Sequence, residues 1–119
     1  MRYKFVPIYK YAGVYIIKNQ TTNKVYVGSS LNIEERLRGH RLALQRGNHP
    51  CSELQADYDR GHFFSADVLY AEIVHKNVSF RRRGSIYALE REFIKRYDAI
   101  NSGYNRLPVG SHHKIAANK

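Results

Sequence analysis

Two short segments rich in aromatic and β-branched residues, separated by a polar pentapeptide, constrain the fold more than any other feature of this 119-residue chain. The segments span residues 11–18 and 24–28, and residues 19–23 between them have the composition of a turn. This pattern predicts an antiparallel β-hairpin. With the turn centred near the second and third residues of the pentapeptide, Tyr15 would lie opposite Tyr26, so both phenols would point to one face.

A helix is predicted directly after the hairpin, from about Ile33 to Arg46. Asn32 is followed three positions later by Glu35, which is the spacing of a capping box. Gly47 is expected to end the helix. The segment should therefore leave the second strand and turn at once into a helix.

Arg36 and His40 are four residues apart near the start of this helix, so they lie one turn from each other on one side. The predicted geometry places both beside Tyr26, at the end of the second strand. The alternative is that both are ordinary surface residues.

The rest of the chain predicts a second helix at about residues 51–58, a third strand at 62–73 and a last helix at about 85–97. The alternation in the third strand predicts one shared face for four residues: Phe64, Ala66, Val68 and Tyr70. The fold class is therefore α/β in the broad sense, more narrowly α+β: a small, three-stranded, mainly antiparallel sheet flanked by about three helices.

The length predicts one domain, which we place at residues 1–106, because a chain of this size can bury about two thirds of its unfolded surface. Residues 1–10 are expected to form an N-terminal arm or an edge strand, and residues 107–119 a flexible basic tail. The single Cys51 cannot form a disulfide within the chain, and no segment is apolar enough for a signal peptide or a membrane span. We therefore expect a soluble, cytoplasmic protein with no membrane partner.

The charge balance points to a polyanionic partner. Lysine and arginine number 20 against 10 acidic residues, a formal net charge of +10, which favours nucleic acid, although excess lysine can also serve solubility. Two basic groups are candidates for phosphate contacts, the alternative being solvated surface charge: Arg38, Arg41 and Arg46 on the first helix, and Arg81, Arg82 and Arg83 in a polar connection before the last helix.

Glu90 stands out because it interrupts the apolar face of the last helix. At about 100° per residue it lies in the middle of an arc of apolar residues: Ile86, Leu89, Phe93, Ile94 and Tyr97. Leaving an ionised carboxylate unpaired in such a position is costly. Glu90 should therefore be paired with a cation, protonated, or bound to a metal ion.

The tripeptides Gly13-Val14-Tyr15 and Tyr26-Val27-Gly28 resemble the paired signature of the GIY-YIG nuclease superfamily, with valine replacing isoleucine in each. The pattern is closest to the catalytic domain of phage-type homing endonucleases. The resemblance implies a metal-dependent DNA endonuclease that hydrolyses phosphodiester bonds, in a phage or bacterial host setting.

The resemblance also implies the site residues. The catalytic set would be Tyr15, Tyr26, Arg36, His40 and Glu90, supported structurally by Gly13, Gly28 and Asn105. Glu90 would hold one Mg²⁺ or Mn²⁺ per active site and Arg36 would contact the scissile phosphate. Tyr15 is the family's favoured general base. His40 is a competitor for that role, because the ordinary pKa of histidine, about 6.5, suits proton transfer.

Several alternatives stay open at this stage. We expect a minimal, free-standing phage or mobile-element nuclease, with a restriction, repair or single-strand-specific nuclease of the same fold as alternatives. The partner would be double-stranded DNA, or else single-stranded DNA, bound by a monomer or a transient dimer without a small-molecule cofactor. Outside the nucleases, a non-catalytic nucleic-acid-binding domain and a basic structural protein on RNA or a membrane surface remain possible classes.

Overall fold

The computed structural model describes residues 10–74 and 80–105, with the side chains of 80–83 outside the description. The elements follow in the order β1 (Tyr11–Asn19), β2 (Val25–Ser30), α1 (Ile33–Arg46), α2 (Ser52–Asp59), β3 (Phe64–Ile73) and α3 (Phe80–Arg96). The predictions for the N-terminal arm and the C-terminal tail fall outside these ranges, apart from Lys10. Within the described ranges, no helix is long and apolar enough to cross a membrane.

The three strands form one antiparallel sheet in the order β2-β1-β3, which confirms the predicted fold class. The predicted pairing of Tyr15 with Tyr26 is wrong: Tyr15 lies opposite Gly28, and Ile17 lies opposite Tyr26. A shift of two residues preserves the alternation of faces, so the two phenols still lie on the same side of the hairpin.

The turn explains the shift. The amide of Asn19 donates to the carbonyl of Lys24 at 2.8 Å, so the hairpin closes further along the chain than expected. The buried Asn19 side chain accepts from the amides of Thr21 and Thr22 at 2.8 and 3.2 Å, which holds the wider turn. Asn23 then adopts a positive φ of 69°, which asparagine tolerates better than most residues.

A β-bulge interrupts the pairing of β1 with β3. Val14 lies opposite Tyr70 but Tyr15 lies opposite Val68, so Leu69 is an extra residue on β3. The predicted alternation therefore holds for Phe64, Ala66 and Val68, whose side chains pack on one face, but ends before Tyr70, which is 39% exposed.

The sheet separates two apolar clusters. On one face α3 covers the cluster of Ala12, Val14, Ile16, Val25, Val27, Ile86, Ile94 and Ala99. On the other face α1 and α2 cover the cluster of Tyr15, Ile17, Ile33, Leu37, Leu44, Leu54, Phe64, Ala66 and Tyr104. Burial of these side chains is the main favourable term for the fold.

The predicted bounds of α1 and its end at Gly47 are confirmed, whereas the capping box is only half formed, because the Asn32 amide donates to Ser30 and not to the Glu35 side chain. The Asn32 side chain accepts from the amide of Glu35, and Gly47 ends the helix in the left-handed conformation with a φ of 78°. For α2, the predicted span is also confirmed to within a residue at either end.

The predicted start of α3 is wrong, because the helix begins at Phe80 rather than near Ser85. Arg81, Arg82 and Arg83 therefore belong to the first turn of α3 and not to a polar connection. Arginine is a good helix former, and Gly84 costs only about 1 kcal/mol in a helix. Tyr97, expected on the apolar arc, is 42% exposed and follows the last helical residue.

The chain beyond α3 returns to cover the outer edge of β2. The amide of Tyr104 donates to the carbonyl of Val25 at 2.8 Å. The carboxamide of Asn105 both accepts from the amide of Val27 and donates to its carbonyl, each at 2.9 Å. These bonds pair backbone groups of an edge strand that would otherwise lack protein partners.

Replacing Asn105 with alanine should lower the free energy of unfolding by about 1–3 kcal/mol, because both backbone groups of Val27 lose their partner. Urea unfolding would measure the change. Asn101→Ala is the matched control, since the exposed Asn101 side chain bonds to the exposed Asp98 and to no other described residue. Equal losses in the two variants would contradict a special role for Asn105.

Candidate active site

Tyr15 is 1% exposed, and its phenol ring lies directly over Gly28. A Cβ atom at position 28 would stand 2.4 Å from the Tyr15 hydroxyl oxygen, closer than non-bonded atoms approach. Gly13 is required for a similar reason, because a Cβ there would meet the carbonyl oxygen of Tyr70 at 1.8 Å. Both glycines thus provide space, one for the Tyr15 side chain and one for the pairing of β1 with β3.

The Tyr15 hydroxyl meets His40, which α1 presents from its buried side. The hydroxyl oxygen lies 2.7 Å from His40 Nε2. Tyr26 packs against both rings, with centroid distances of 6.5 Å to Tyr15 and 5.4 Å to His40. The structure therefore brings Tyr15, Tyr26 and His40 into one aromatic cluster.

His49, in the connection between α1 and α2, joins this cluster although the sequence analysis did not single it out. Its Nε2 lies 2.7 Å from His40 Nδ1, and the two rings stack with centroids 5.0 Å apart. Its own Nδ1 accepts from the amide of Cys51 at 2.9 Å. No spacing rule links His49 to His40, because the contact depends on how the loop between α1 and α2 folds back.

Burial dominates the electrostatics of the cluster. It raises the pKa of Tyr15, with a further rise from Tyr26, while the nearby Arg36 guanidinium offsets part of the increase. Burial, Arg36 and His49 together lower the pKa of His40 to about 3. At neutral pH the resting site therefore holds a protonated phenol and an uncharged imidazole.

Glu90 lies on the other face of the sheet, on the buried stripe of α3 between Ile86 and Ile94, and is only 6% exposed. Its Oε1 accepts from Ser29 Oγ at 2.9 Å. Burial raises the pKa of Glu90, against the opposing effects of Ser29, Arg36 and Arg91. Ser29 is a second residue that the sequence analysis missed, although its position next to Gly28 was a usable signal.

Gly28 and Ser29 explain how groups on opposite faces form one site. Consecutive residues of a strand point to opposite faces. Gly28 therefore receives Tyr15 from the α1 side, while Ser29 holds Glu90 from the α3 side. The charge of Glu90 acts on Tyr15, Tyr26 and Arg36, so the site straddles the end of β2.

The donor set around Glu90 allows a particular kind of metal site. Among the described residues, no ion pair to Glu90 is present and no group of three or more His, Cys, Asp or Glu side chains could hold a metal ion. Mg²⁺ is commonly held by one or two carboxylates, with water and phosphate oxygens completing its shell. A single buried carboxylate fits that mode and does not fit an all-protein cage.

Arg36 lies on α1 about 40° from His40, at the edge of the buried face, and its side chain reaches solvent. The other predicted basic residues of this helix are exposed and do not join the cluster: Arg38, Arg41 and Arg46. Arg38 also lies 3.9 Å from Glu34. The side chains of Arg81, Arg82 and Arg83 lie outside the described part of the structure.

Comparison with known proteins gives consistent matches. The chain is 33% identical over 95 residues to intron-associated endonuclease 1 of Enterobacteria phage T4, in an alignment covering 79% of this chain and 36% of the phage protein. The chain thus spans about a third of the length of that relative.

Two solved structures of the catalytic domain of the intron endonuclease I-TevI, one of them a mutant, match with a TM-score of 0.68. They are 30% and 31% identical, and the matches cover 82% and 81% of this chain and 95% and 98% of theirs. A family profile, that of the GIY-YIG catalytic domain, matches residues 11–105. Since this match takes in both tyrosine tripeptides, the three strands and Asn105, the chain belongs to the GIY-YIG family.

Proposed function

We propose that this chain is a metal-dependent DNA endonuclease of the phage or mobile-element type. One observation carries the proposal: the buried Tyr15–His40 pair and the buried Glu90 are held by two consecutive residues of β2, with Arg36 beside them. Membership of the GIY-YIG family and the similarity to a phage intron endonuclease support DNA as the substrate.

Hydrolysis of a phosphodiester bond needs an activated water, compensation of charge at phosphorus and help for the departing 3′ oxygen. Arg36 is suited to the second task, because its guanidinium reaches solvent and can donate charge-assisted hydrogen bonds to phosphate. Glu90 would hold one Mg²⁺ or Mn²⁺, which supplies Lewis-acid stabilisation of phosphate oxygens.

Tyr15 is the group we assign as general base. As a phenolate it would take a proton from water while the water oxygen bonds to phosphorus and the bond to O3′ breaks, and the departing 3′ oxygen would take up a proton from solvent. His40 is a poor base at this site, because its pKa of about 3 leaves it with little affinity for a second proton. The phenol must first lose its proton, which burial opposes, so positive charge beyond Arg36 is needed.

The expected partner is double-stranded DNA, and single-stranded DNA is a second substrate to test. One active site cuts one strand, so a double-strand break requires a transient dimer or two successive nicks. The homing-type assignment rests on the similarity to the phage endonuclease, whereas restriction and repair roles have no observation in their favour.

Replacing Glu90 with glutamine should abolish plasmid nicking in the presence of Mg²⁺ while leaving DNA binding and the folded state intact. The amide keeps the size of the side chain and can still accept from Ser29, but it cannot offer a negative charge to a cation. Gel electrophoresis of nicked plasmid, with EDTA added in a parallel series, measures the effect.

Glu92→Gln is the matched control, because Glu92 is exposed and lies two residues away on α3. It should cleave at the wild-type rate. Near-wild-type nicking by Glu90→Gln, or unchanged nicking of the wild type in EDTA, would contradict the assignment of Glu90 as the metal ligand.

The cleavage rate should rise with pH on the alkaline side of neutrality. Burial raises the pKa of Tyr15 above the ordinary value of a phenol, Tyr26 and Glu90 add to the rise and Arg36 opposes it, so the phenolate fraction grows as pH increases. His40 stays uncharged above about pH 4 and adds no limb near 6.5. A rate profile at saturating substrate would measure this, and an ascending limb near pH 6.5 that disappears in His40→Gln would contradict it.

Arg41 and Arg46 should contribute to DNA affinity without taking part in cleavage chemistry. Replacing both with alanine should weaken binding and reduce the slope of log affinity against log salt by about 1 for each phosphate that is no longer bound. Fluorescence anisotropy across a salt series measures this. Arg60→Ala is the control, since Arg60 pairs with Asp57 on α2. An equal change of slope in this variant would contradict a specific contribution of the α1 arginines to DNA binding.

A further inference from the structure

The hydrogen bonds around His49 have a direction that can be derived from one backbone group. The amide of Cys51 can only donate, and it points at Nδ1 of His49 from 2.9 Å. His49 Nδ1 must therefore present a lone pair. In neutral His49 the proton then lies on Nε2.

The donor on His49 in turn fixes the proton of His40. His49 Nε2–H lies 2.7 Å from Nδ1 of His40, so that nitrogen must accept. Neutral His40 consequently carries its proton on Nε2, which lies 2.7 Å from the Tyr15 hydroxyl oxygen. The series runs in one direction, from the Cys51 amide through two imidazoles to the phenol, with each group donating to the next.

Gln55 holds His49 in the orientation that this direction requires. Its Oε1 accepts from the His49 amide at 3.0 Å, while its Nε2 donates to the carbonyl of Leu44 at 3.1 Å. Both His49 and Gln55 are 8% exposed, so water competes little for these bonds. The loop between α1 and α2 is thus fixed by buried side chains on both sides.

We propose that His49 is a positioning residue that fixes His40 in the tautomer with its proton on Nε2, so that His40 donates to the oxygen of Tyr15. The catalytic part of this proposal rests on the proposed function, whereas the tautomer of His40 does not. The role of His40 is then to stabilise the phenolate form of Tyr15 as a hydrogen-bond donor, and not to accept the phenol proton.

Two consequences follow for Tyr15. Its own hydroxyl proton points away from His40, because that side of the oxygen is already occupied by the His40 N–H. A proton taken from water during hydrolysis likewise arrives from the side away from His40, while the water oxygen bonds to phosphorus and O3′ departs. A charged His40 is excluded, since a second proton on Nδ1 would face the N–H of His49.

The test begins with the wild-type protein and needs no activity. Nitrogen-15 spectra of the histidine rings separate protonated from unprotonated ring nitrogens. His40 is expected to show a protonated Nε2 and an unprotonated Nδ1 at neutral pH, and His49 the same pattern. A proton on His40 Nδ1 in the wild type overturns the proposal.

The second part compares two substitutions at His49. His49→Phe keeps a ring to stack on His40 but removes the donor, so His40 should change to the other tautomer or a mixture of both. The cleavage kcat should fall about 10- to 100-fold at unchanged KM, as expected for loss of a hydrogen bond to a charged group. His49→Gln, whose amide can still donate to His40 Nδ1, should recover much of both losses.

His62→Phe is the matched control, because His62 bonds to Asn19 away from this cluster, and it should leave the His40 spectrum and kcat unchanged. Wild-type kcat in His49→Phe with an altered His40 tautomer overturns the positioning role. If the wild-type protein cleaves no DNA, the proposed function fails, whereas the ring spectra still decide the tautomer. If His49→Phe does not fold, the wild-type spectra and His49→Gln remain decisive.

Discussion

The buried hydroxyl of Tyr15 is the group on which the rest of the site depends. A hydroxyl removed from water needs a hydrogen-bond partner, and here the partner is itself a buried polar ring, His40. His40 in turn needs His49, and His49 needs the backbone amide of Cys51 at the start of α2. The burial of one phenol over Gly28 therefore requires a polar residue on α1, a second in the loop that follows and a free backbone amide at the start of α2.

The same strand position connects this chain of bonds to the opposite side of the sheet. If one more residue stood between Gly28 and Ser29, both would point to the same face of the sheet, because side chains alternate between the faces. They could then not contact Tyr15 on one face and Glu90 on the other. The edge of β2 must also be held in register, and Asn105 does this through both backbone groups of Val27. Asn105 and Gly28 thus act on adjacent positions of β2.

Much of this arrangement could be predicted from the sequence, where the signal is local. The cap at Asn32 and the end at Gly47 follow from the residue types at the two ends of α1. The place of Glu90 on a buried stripe follows from the apolar periodicity of α3. The hairpin register could not, because the buried carboxamide of Asn19 widens the turn. The role of His49 could not be predicted either, because its contact with His40 depends on tertiary packing and follows from no sequence spacing.

Burial has one consistent effect across the site, which is to disfavour charge. It raises the pKa of Tyr15 and of Glu90 and lowers that of His40, so every shift moves the group toward its uncharged form. An approaching phosphate would strengthen this tendency for the two acids, because like charges repel. Arg36 opposes the rise in pKa for both acids, and Ser29 and Arg91 oppose it for Glu90. Under the proposed function, a divalent cation held by Glu90 would favour the ionised forms of both Tyr15 and Glu90, which would link deprotonation of Tyr15 to the binding of substrate.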